Sequence, residues 1–303
     1  MSLLGLGCNQ FGATCDLEQT QMIIDTAMDQ GVTFFDVADE YGPDGLGEEY
    51  LGRALGKRRN EVIIATKFGH HMFDDPERGG AGARWIGQAV EDSLHRLGTD
   101  HIDLYQQHFP DPTVAAEETM SALDRMVRQG KVLEIGVCNL APSELDERTA
   151  ISDRTGGARL ASTQNRLNLL RQEALDALVP PAQRNDLAVI PYFPLASGML
   201  TGQYRHGQSM PEDSRFVRSL DPAQAHRIVE RASVRVAALD EWAAQRGHSV
   251  GELAIAWLAS MPFLASVIAG ATKPAQIVSN TAAARRRLTE AEMTEVSGLS
   301  RVA

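Results

Sequence analysis

FFDVADEYG (residues 34–42), EVIIATKFG (61–69) and IDLYQQHF (102–109) are the stretches whose reading decides the fold. Each is a short β-branched or aromatic run that ends on polar side chains able to do chemistry: Asp36 and Tyr41, Lys67, and His108. Short apolar runs bounded by turn residues read as strands. Working outward, the same pattern marks strands at 3–7, 32–37, 62–66, 102–107, 135–138, 160–164, 188–192 and 266–268. Between them lie helical patterns such as LEQTQMIIDTAMDQG, GEEYLGRALG and WIGQAVEDSLHRLG, which close on Gly31, Gly56 and Gly98, as helices commonly do.

Strand and helix alternating eight times predict parallel pairing through crossover connections and, with eight units, closure into a (β/α)8 barrel. A doubly wound sheet uses the same alternation. The polar residues separate the two. Gly7, Asp36, Lys67, His108, Asn139, Gln164 and Tyr192 all stand at or just beyond a strand's C-terminal end, and a barrel brings such positions onto one face, whereas an open sheet spreads them along an edge.

The chain has 303 residues, 43% of them hydrophobic, enough for one large core, and no Pro/Gly/Ser linker divides it; a single domain over residues 1–303 is expected. Acidic residues outnumber basic ones 40 to 29, for a net charge of -11, which argues against nucleic acid or anionic lipid as partner. Three scattered cysteines, Cys8, Cys15 and Cys138, make no disulfide framework and suit a reducing cytoplasm. The first residues show neither a secretory signal nor a transit peptide. Leu253 to Thr272 carries no charge and approaches membrane-spanning length, but Pro262 divides it into a buried helix, GELAIAWLAS, and a short strand, ASVIAG. Two connections are long, 69–84 and 193–216; both follow strand ends and are expected to overhang the reactive face as lids.

A phenol, an ammonium, a carboxylate and an imidazole can together run a proton-coupled reduction. A nearby ammonium favours an ionised tyrosine, so Lys67 is expected to make Tyr41 a better proton donor, while Asp36 holds the ammonium charged. His108 would donate to, or orient, a substrate carbonyl as hydride arrives from a cofactor. Each residue taken singly also has a plain explanation: a helix cap, a rim charge, a structural histidine, a packed aromatic at Tyr192, a solvated Lys273. Their joint occurrence on successive strand ends favours the catalytic reading. An amide side chain offers both donor and acceptor to a carboxamide, and an aromatic face fixes one side of a flat ring. The turn from Gly270 into the helix of Asn280 is a natural place for phosphate. Gly5-Leu6-Gly7 is no dinucleotide fingerprint, because no third glycine follows at the right spacing and no helix opens there.

FFDVADEYG, IIATKFG, IDLYQQH, IGVCN, STQNRLN, PYFPLASGMLTGQY and SVIAGATKPAQIVSN together resemble the aldo-keto reductase family, in family order over nearly the whole chain. The resemblance implies a barrel enzyme that reduces aldehydes or ketones, or oxidises alcohols, with NADP(H) favoured over NAD(H) and bound without a Rossmann domain. It makes Tyr41 the general acid, Lys67 and Asp36 its tuners, and His108 the residue that positions the carbonyl. It gives Asn139 and Gln164 to the nicotinamide carboxamide, with Cys138 beside them, and Tyr192 to the nicotinamide face. Cofactor contacts are also implied for Gly7, Cys8, Asn9 and Asp36, for Phe193, Pro194, Leu195, Ala196, Gly198 and Leu200 in a loop over the pyrophosphate, and for Ile268, Gly270, Ala271, Thr272, Lys273, Gln276 and Asn280. Lys273 is the candidate for a 2′-phosphate.

The chain departs from the family pattern in four places. Cys138 replaces a serine, Leu167 an aromatic, and Gln276 an arginine found in some members, while the first strand starts so early that the hairpin commonly plugging the barrel floor is missing and an open or differently covered floor is expected. A metal-dependent hydrolase built on His70, His71, His108 and Asp36 is disfavoured, because no His-x-His strand appears and Lys67 would repel a cation; no metal is expected. A nucleotide-sensing partner subunit that keeps the cofactor site with little turnover is the remaining alternative. The expected partner is a small carbonyl or alcohol, on a monomer or small homo-oligomer.

Overall fold

The computed structural model describes residues 1–70, 78–204 and 221–301. Eight parallel strands close into a barrel in sequence order: β1 (Leu4–Gly7), β2 (Phe34–Asp36), β3 (Ile63–Phe68), β4 (Ile102–Gln107), β5 (Val132–Cys138), β6 (Leu160–Arg166), β7 (Ala188–Tyr192) and β8 (Val267–Gly270). The sheet closes where β1 pairs with β8, Gly7 opposite Gly270. The helices that position the site are α1 (Leu17–Asp29), α2 (Leu46–Leu55), α3 (Ala83–Leu97), α4 (Ala116–Arg128), α5 (Pro142–Thr155), α6 (Glu173–Ala177), α7 (Val179–Arg184), α8 (Pro222–Ala244), α9 (Val250–Ala259), α10 (Pro274–Arg285) and α11 (Glu290–Leu299). The three glycine stops fall where expected: Gly31, Gly56 and Gly98 all take positive φ at or just past the ends of α1, α2 and α3.

The charge-free stretch is divided as its proline requires, into α9 and β8, and no helix among the described residues is long and apolar enough to cross a membrane. Trp257 of α9 is fully buried and donates through its indole N–H to Ser297 Oγ. Strand bounds differ from the sequence reading at β2, which is shorter at both ends, at β5, which starts at Val132, at β6, which runs to Arg166, and at β3, which runs on through Lys67 to Phe68, so Lys67 lies inside the strand.

Inside the barrel, Phe34, Ala65, Leu104, Ile190 and Ile268 form a small apolar core, with Ile63 and Ala265 half-buried beside it. A Cβ on Gly5 would stand 2.6 Å from the Phe34 ring, so the ring fills the space that a side chain on β1 would take. The chain's start is tied to the entrance of β2 by reciprocal hydrogen bonds between Ser2 and Thr33. The larger core lies between sheet and helices, where close approach is again bought with glycine: a Cβ on Gly52 of α2 would meet Leu97 O of α3 at 2.3 Å. Above the apolar interior comes a polar layer, and that layer is the site.

Candidate active site

Alternation along a strand sends every second side chain inward, and this places Asp36, Lys67, Gln106 and Gln164 in one network across the barrel. Lys67 Nζ donates to Asp36 Oδ1 at 2.5 Å and to Val37 O at 2.8 Å. The second carboxylate oxygen of Asp36 accepts from Gln164 Nε2 at 2.8 Å and, more weakly, from Gln106 Nε2 at 3.4 Å. Lys67 is fully buried and Asp36 nearly so. Burial alone would pull the ammonium's pKa down, but Asp36 first and then Tyr41 and Cys138 together outweigh this and hold the Lys67 ammonium charged, above its ordinary range.

Tyr41 sits over this pair, its ring centroid 5.1 Å from Lys67 Nζ and 6.0 Å from the His108 ring, edge to face. Phenol, amine and imidazole therefore meet at the mouth of the barrel. Lys67 draws the phenol down, as the sequence reading expected, but it does not set the outcome. Desolvation pushes Tyr41 well above the usual phenol range, and the pull of Lys67 is countered by Asp36 and Glu40; an ammonium already paired with a carboxylate is a weakened cation.

The turn that carries Tyr41 is held from behind. Gly47 N–H of α2 donates to Tyr41 O, and a Cβ there would stand 2.7 Å from that oxygen. Next to it Glu48, fully buried, accepts from Thr66 Oγ1 on β3 and from Arg96 Nε on α3. His108 is fixed through its backbone, N–H to Phe68 O and carbonyl to Asn139 Nδ2. Burial, with the charge of Lys67, pushes its pKa down to about 2, so the imidazole is neutral. Its Nδ1 is enclosed and lies 3.3 Å from Glu40 Oε1, outside hydrogen-bond geometry, which makes this an electrostatic contact.

A cleft of about 770 Å³ starts over Tyr41 and His108, passes Asn139, Gln164 and Tyr192, and ends at Lys273 and Gln276. Tyr192 forms one wall, its hydroxyl donating to Asn139 Oδ1 at 2.7 Å. Asn139 itself takes φ 61°, a left-handed conformation held at the end of β5. After β7 the backbone stays strained: Phe193, Ala196 and Ser197 all have positive φ, and Asn168 Nδ2 holds Phe193 O. Non-glycine residues in that region persist only where the surroundings impose it, and they gather at binding sites. At the far end, Thr272 and Lys273 N–H both donate to Gln276 Oε1, so the side chain of Gln276 closes the start of α10.

These residues fit a nicotinamide cofactor. Two amide side chains stand beside an aromatic wall, and Gln164 Oε1 accepts no hydrogen bond among the described residues, which leaves an acceptor for a carboxamide N–H. Gly7, Asn9, Pro194, Leu195, Gly198, Ile268, Gly270, Ala271 and Thr272 line the cleft as the resemblance implies. Cys8, Cys138, Ala196, Leu200 and Asn280 do not: they are buried behind its wall. Burial pushes the Cys138 thiol up, and its Sγ points at Gln106 Oε1, 3.7 Å away. Leu167 is likewise buried in the core.

Sequence reasoning missed Gln106, Glu40 and Arg166. Gln106 was within reach, two residues before His108 and so on the same face of β4. Arg166 was within reach in the same way, two residues after Gln164 on β6, whereas Glu40 lines the cleft from a turn, where no period points to it. Among the described residues no group of three His, Cys, Asp or Glu could hold a metal; His71 lies outside them, as do residues 71–77 and 205–216 of the two expected lids.

With this geometry in hand, comparison with known proteins defines the class. The model of the Aldo/keto reductase family matches residues 3–301. The chain belongs to that family, and with it is an NAD(P)-dependent oxidoreductase of carbonyl compounds. It is 34% identical over 292 residues to L-glyceraldehyde 3-phosphate reductase of Escherichia coli (strain K12), covering 92% of this chain and 82% of that protein. It is 35% identical over 284 residues to aldo-keto reductase YhdN of Bacillus subtilis (strain 168), covering 91% and 83%. A probable voltage-gated potassium channel subunit beta of Oryza sativa subsp. japonica is 33% identical over 278 residues, covering 89% and 83%.

Proposed function

We infer that this chain, acting as one domain, reduces small aldehydes or ketones, or oxidises the corresponding alcohols, with Tyr41 as the group that gives or takes the proton. The observation that carries this reading is the buried Asp36–Lys67 pair beneath the Tyr41 ring with His108 at its edge. A nicotinamide cofactor bound along the cleft would supply or accept the hydride. Tyr41 holds its proton tightly until an alkoxide, a stronger base than a phenolate, forms beside it. Lys67 then stabilises the phenolate that remains, and Asp36 keeps the amine charged and in place. His108, neutral and anchored through its backbone, orients the substrate oxygen. Asn139, Gln164 and Tyr192 hold the nicotinamide.

NADP(H) is preferred over NAD(H) in this reading, because Lys273 offers a cation at the end of the cleft where a 2′-phosphate would lie. Gln276 must release the backbone N–H groups of Thr272 and Lys273 if they are to bind that phosphate. The similarity to proteins named potassium channel subunit beta supports a second reading, a cofactor-binding partner subunit with little turnover. One experiment separates the two. NADPH consumption is followed with a panel of neutral aromatic and sugar-like aldehydes, for the wild type and Tyr41→Phe, alongside quenching by NADPH and NADH. Under the reductase reading, Tyr41→Phe loses turnover by roughly 10²–10⁴-fold and keeps cofactor binding. Equal turnover by both proteins removes Tyr41 as the acid, and tight cofactor binding without turnover favours the subunit.

A further inference from the structure

The charges along the cleft are not evenly placed. Besides Asp36, whose carboxylate is consumed by Lys67 and the two glutamines, Glu40 is the one carboxylate among the described residues lining the cleft, and it stands at the substrate end, next to Tyr41. The cationic side chains lining the cleft are elsewhere. Lys273 is at the β8 end, and Arg166 lies against the Tyr192 and Phe193 rings, 5.8 Å and 5.1 Å from their centroids. Lys67 lies beneath, its charge matched by Asp36 at 2.5 Å.

Glu40 is held in place. Its Oε2 is 2.9 Å from His70 Nδ1 and its Oε1 3.3 Å from His108 Nδ1, so the carboxylate bridges the imidazole beside Tyr41 and an imidazole at the rim. Its side chain is only 22% exposed. Burial raises its pKa, while His70 and Lys67 draw it back. A carboxylate so enclosed is less screened than one in bulk water and imposes its sign on whatever binds beside it.

We propose that Glu40 is a specificity-determining residue, which makes the carbonyl end of the cleft select neutral or cationic aldehydes over those bearing a carboxylate or phosphate close to the carbonyl. The proposal rests on the reductase reading for its substrate, but the charge preference itself can be read without turnover. The physical reason is like-charge repulsion in a partly dry site. An anion brought within about 10 Å of Glu40 at an effective dielectric of about 20 loses roughly tenfold in affinity, and a cation gains by a similar factor. A cofactor bound as proposed above would place its phosphates toward Lys273, away from Glu40, and would avoid this cost.

The test uses three aldehydes of similar shape, 4-(trimethylammonio)benzaldehyde, 4-nitrobenzaldehyde and 4-carboxybenzaldehyde, with the wild type and with Glu40→Gln, a nearly isosteric change. The ratio of kcat/KM for the cation to that for the anion is expected to exceed tenfold in the wild type and to fall by about tenfold or more in Glu40→Gln, mostly through KM. A wild-type ratio near one, or a ratio unchanged by Glu40→Gln, overturns the proposal. If none of the three is turned over, the reductase reading fails instead. Calorimetric binding of benzyltrimethylammonium against benzoate to the two proteins then decides the role of Glu40: preference for the cation in the wild type alone upholds it, and equal binding by both proteins ends it.

Discussion

Around Tyr41 the polar side chains are committed to one another, and the left-handed turns that follow fall on Gly42 and Gly45 with Asp44 the one non-glycine among them; around Tyr192 several non-glycine residues carry the strain and the side-chain contacts are ones a ligand must replace. On the first side, Asp36 spends both oxygens on Lys67, Gln164 and Gln106, and Glu48 ties the Tyr41 turn to β3 and α3. On the second, Asn139, Phe193, Ala196 and Ser197 hold left-handed conformations, while Tyr192 borrows Asn139 and Gln276 caps its own helix. The difference teaches how labour is divided in the barrel. In the proposed reading, the groups that would sit still during proton transfer are fixed by burial and mutual hydrogen bonds, and the groups that would admit and release a large ligand sit on a loop shaped by its surroundings.

The hardest blow to the first side is Lys67→Met. It leaves Asp36 buried without its cation, and breaking a buried pair from one side costs about 3–5 kcal/mol. Urea unfolding should show a loss of that size, together with loss of turnover. Adding Asp36→Leu should restore much of the stability and none of the activity, because the second change removes the orphaned charge without returning the ammonium. If Lys67→Met unfolds like the wild type, the Tyr41 side is not held by this pair.

These two sides were not equally legible in the sequence. The barrel, the four residues Asp36, Tyr41, Lys67 and His108, and the amide pair could be read from strand ends and from a resemblance, because a period of two and a terminal polar residue survive in one dimension. The pKa of Tyr41 could not. Burial raises the phenol by more than Lys67 draws it down, with Asp36 adding to the rise, and how deeply the ring is enclosed is a matter of ångströms that spacing does not carry. Nor could the closure of Gln276 on Thr272 and Lys273, or the enclosure of Cys8 and Cys138, be read from spacing: both are decided by which way a side chain turns at a strand end or helix start.

A smaller effect, with a definite sign in pH, follows from His108. Its pKa is about 2 in the folded chain and ~6.5 when unfolded. Between those values the unfolded state binds a proton that the native state refuses, so stability falls as pH drops below ~6.5, by up to about 1.4 kcal/mol for each pH unit. His108→Gln removes this dependence. The raised pKa of Glu40 acts in the opposite sense, since its folded form keeps a proton longer as pH rises. The contribution of His108 is therefore read from the difference between wild type and variant, as urea midpoints at pH 7, 6 and 5. A constant difference across that range would mean that the imidazole is not desolvated on this side of the cleft.

The smallest expected change probes the other side. Ser197 has φ 58° and ψ 30°, and its hydroxyl makes no hydrogen bond among the described residues. A left-handed residue with a Cβ costs about 1–2 kcal/mol, while glycine gives back about 0.4–1 kcal/mol through the freer unfolded chain. Ser197→Gly should therefore stabilise the protein by about 0.5–1 kcal/mol, a small rise in the urea midpoint. The same change loosens the loop that lines the cleft, so cofactor affinity, read by fluorescence quenching, should fall a few-fold even as the fold gains. Opposite shifts in the two measurements would identify the strain after β7 as the means by which the loop is kept in its binding shape. A gain in stability with unchanged affinity would reduce it to a local cost of turning the chain.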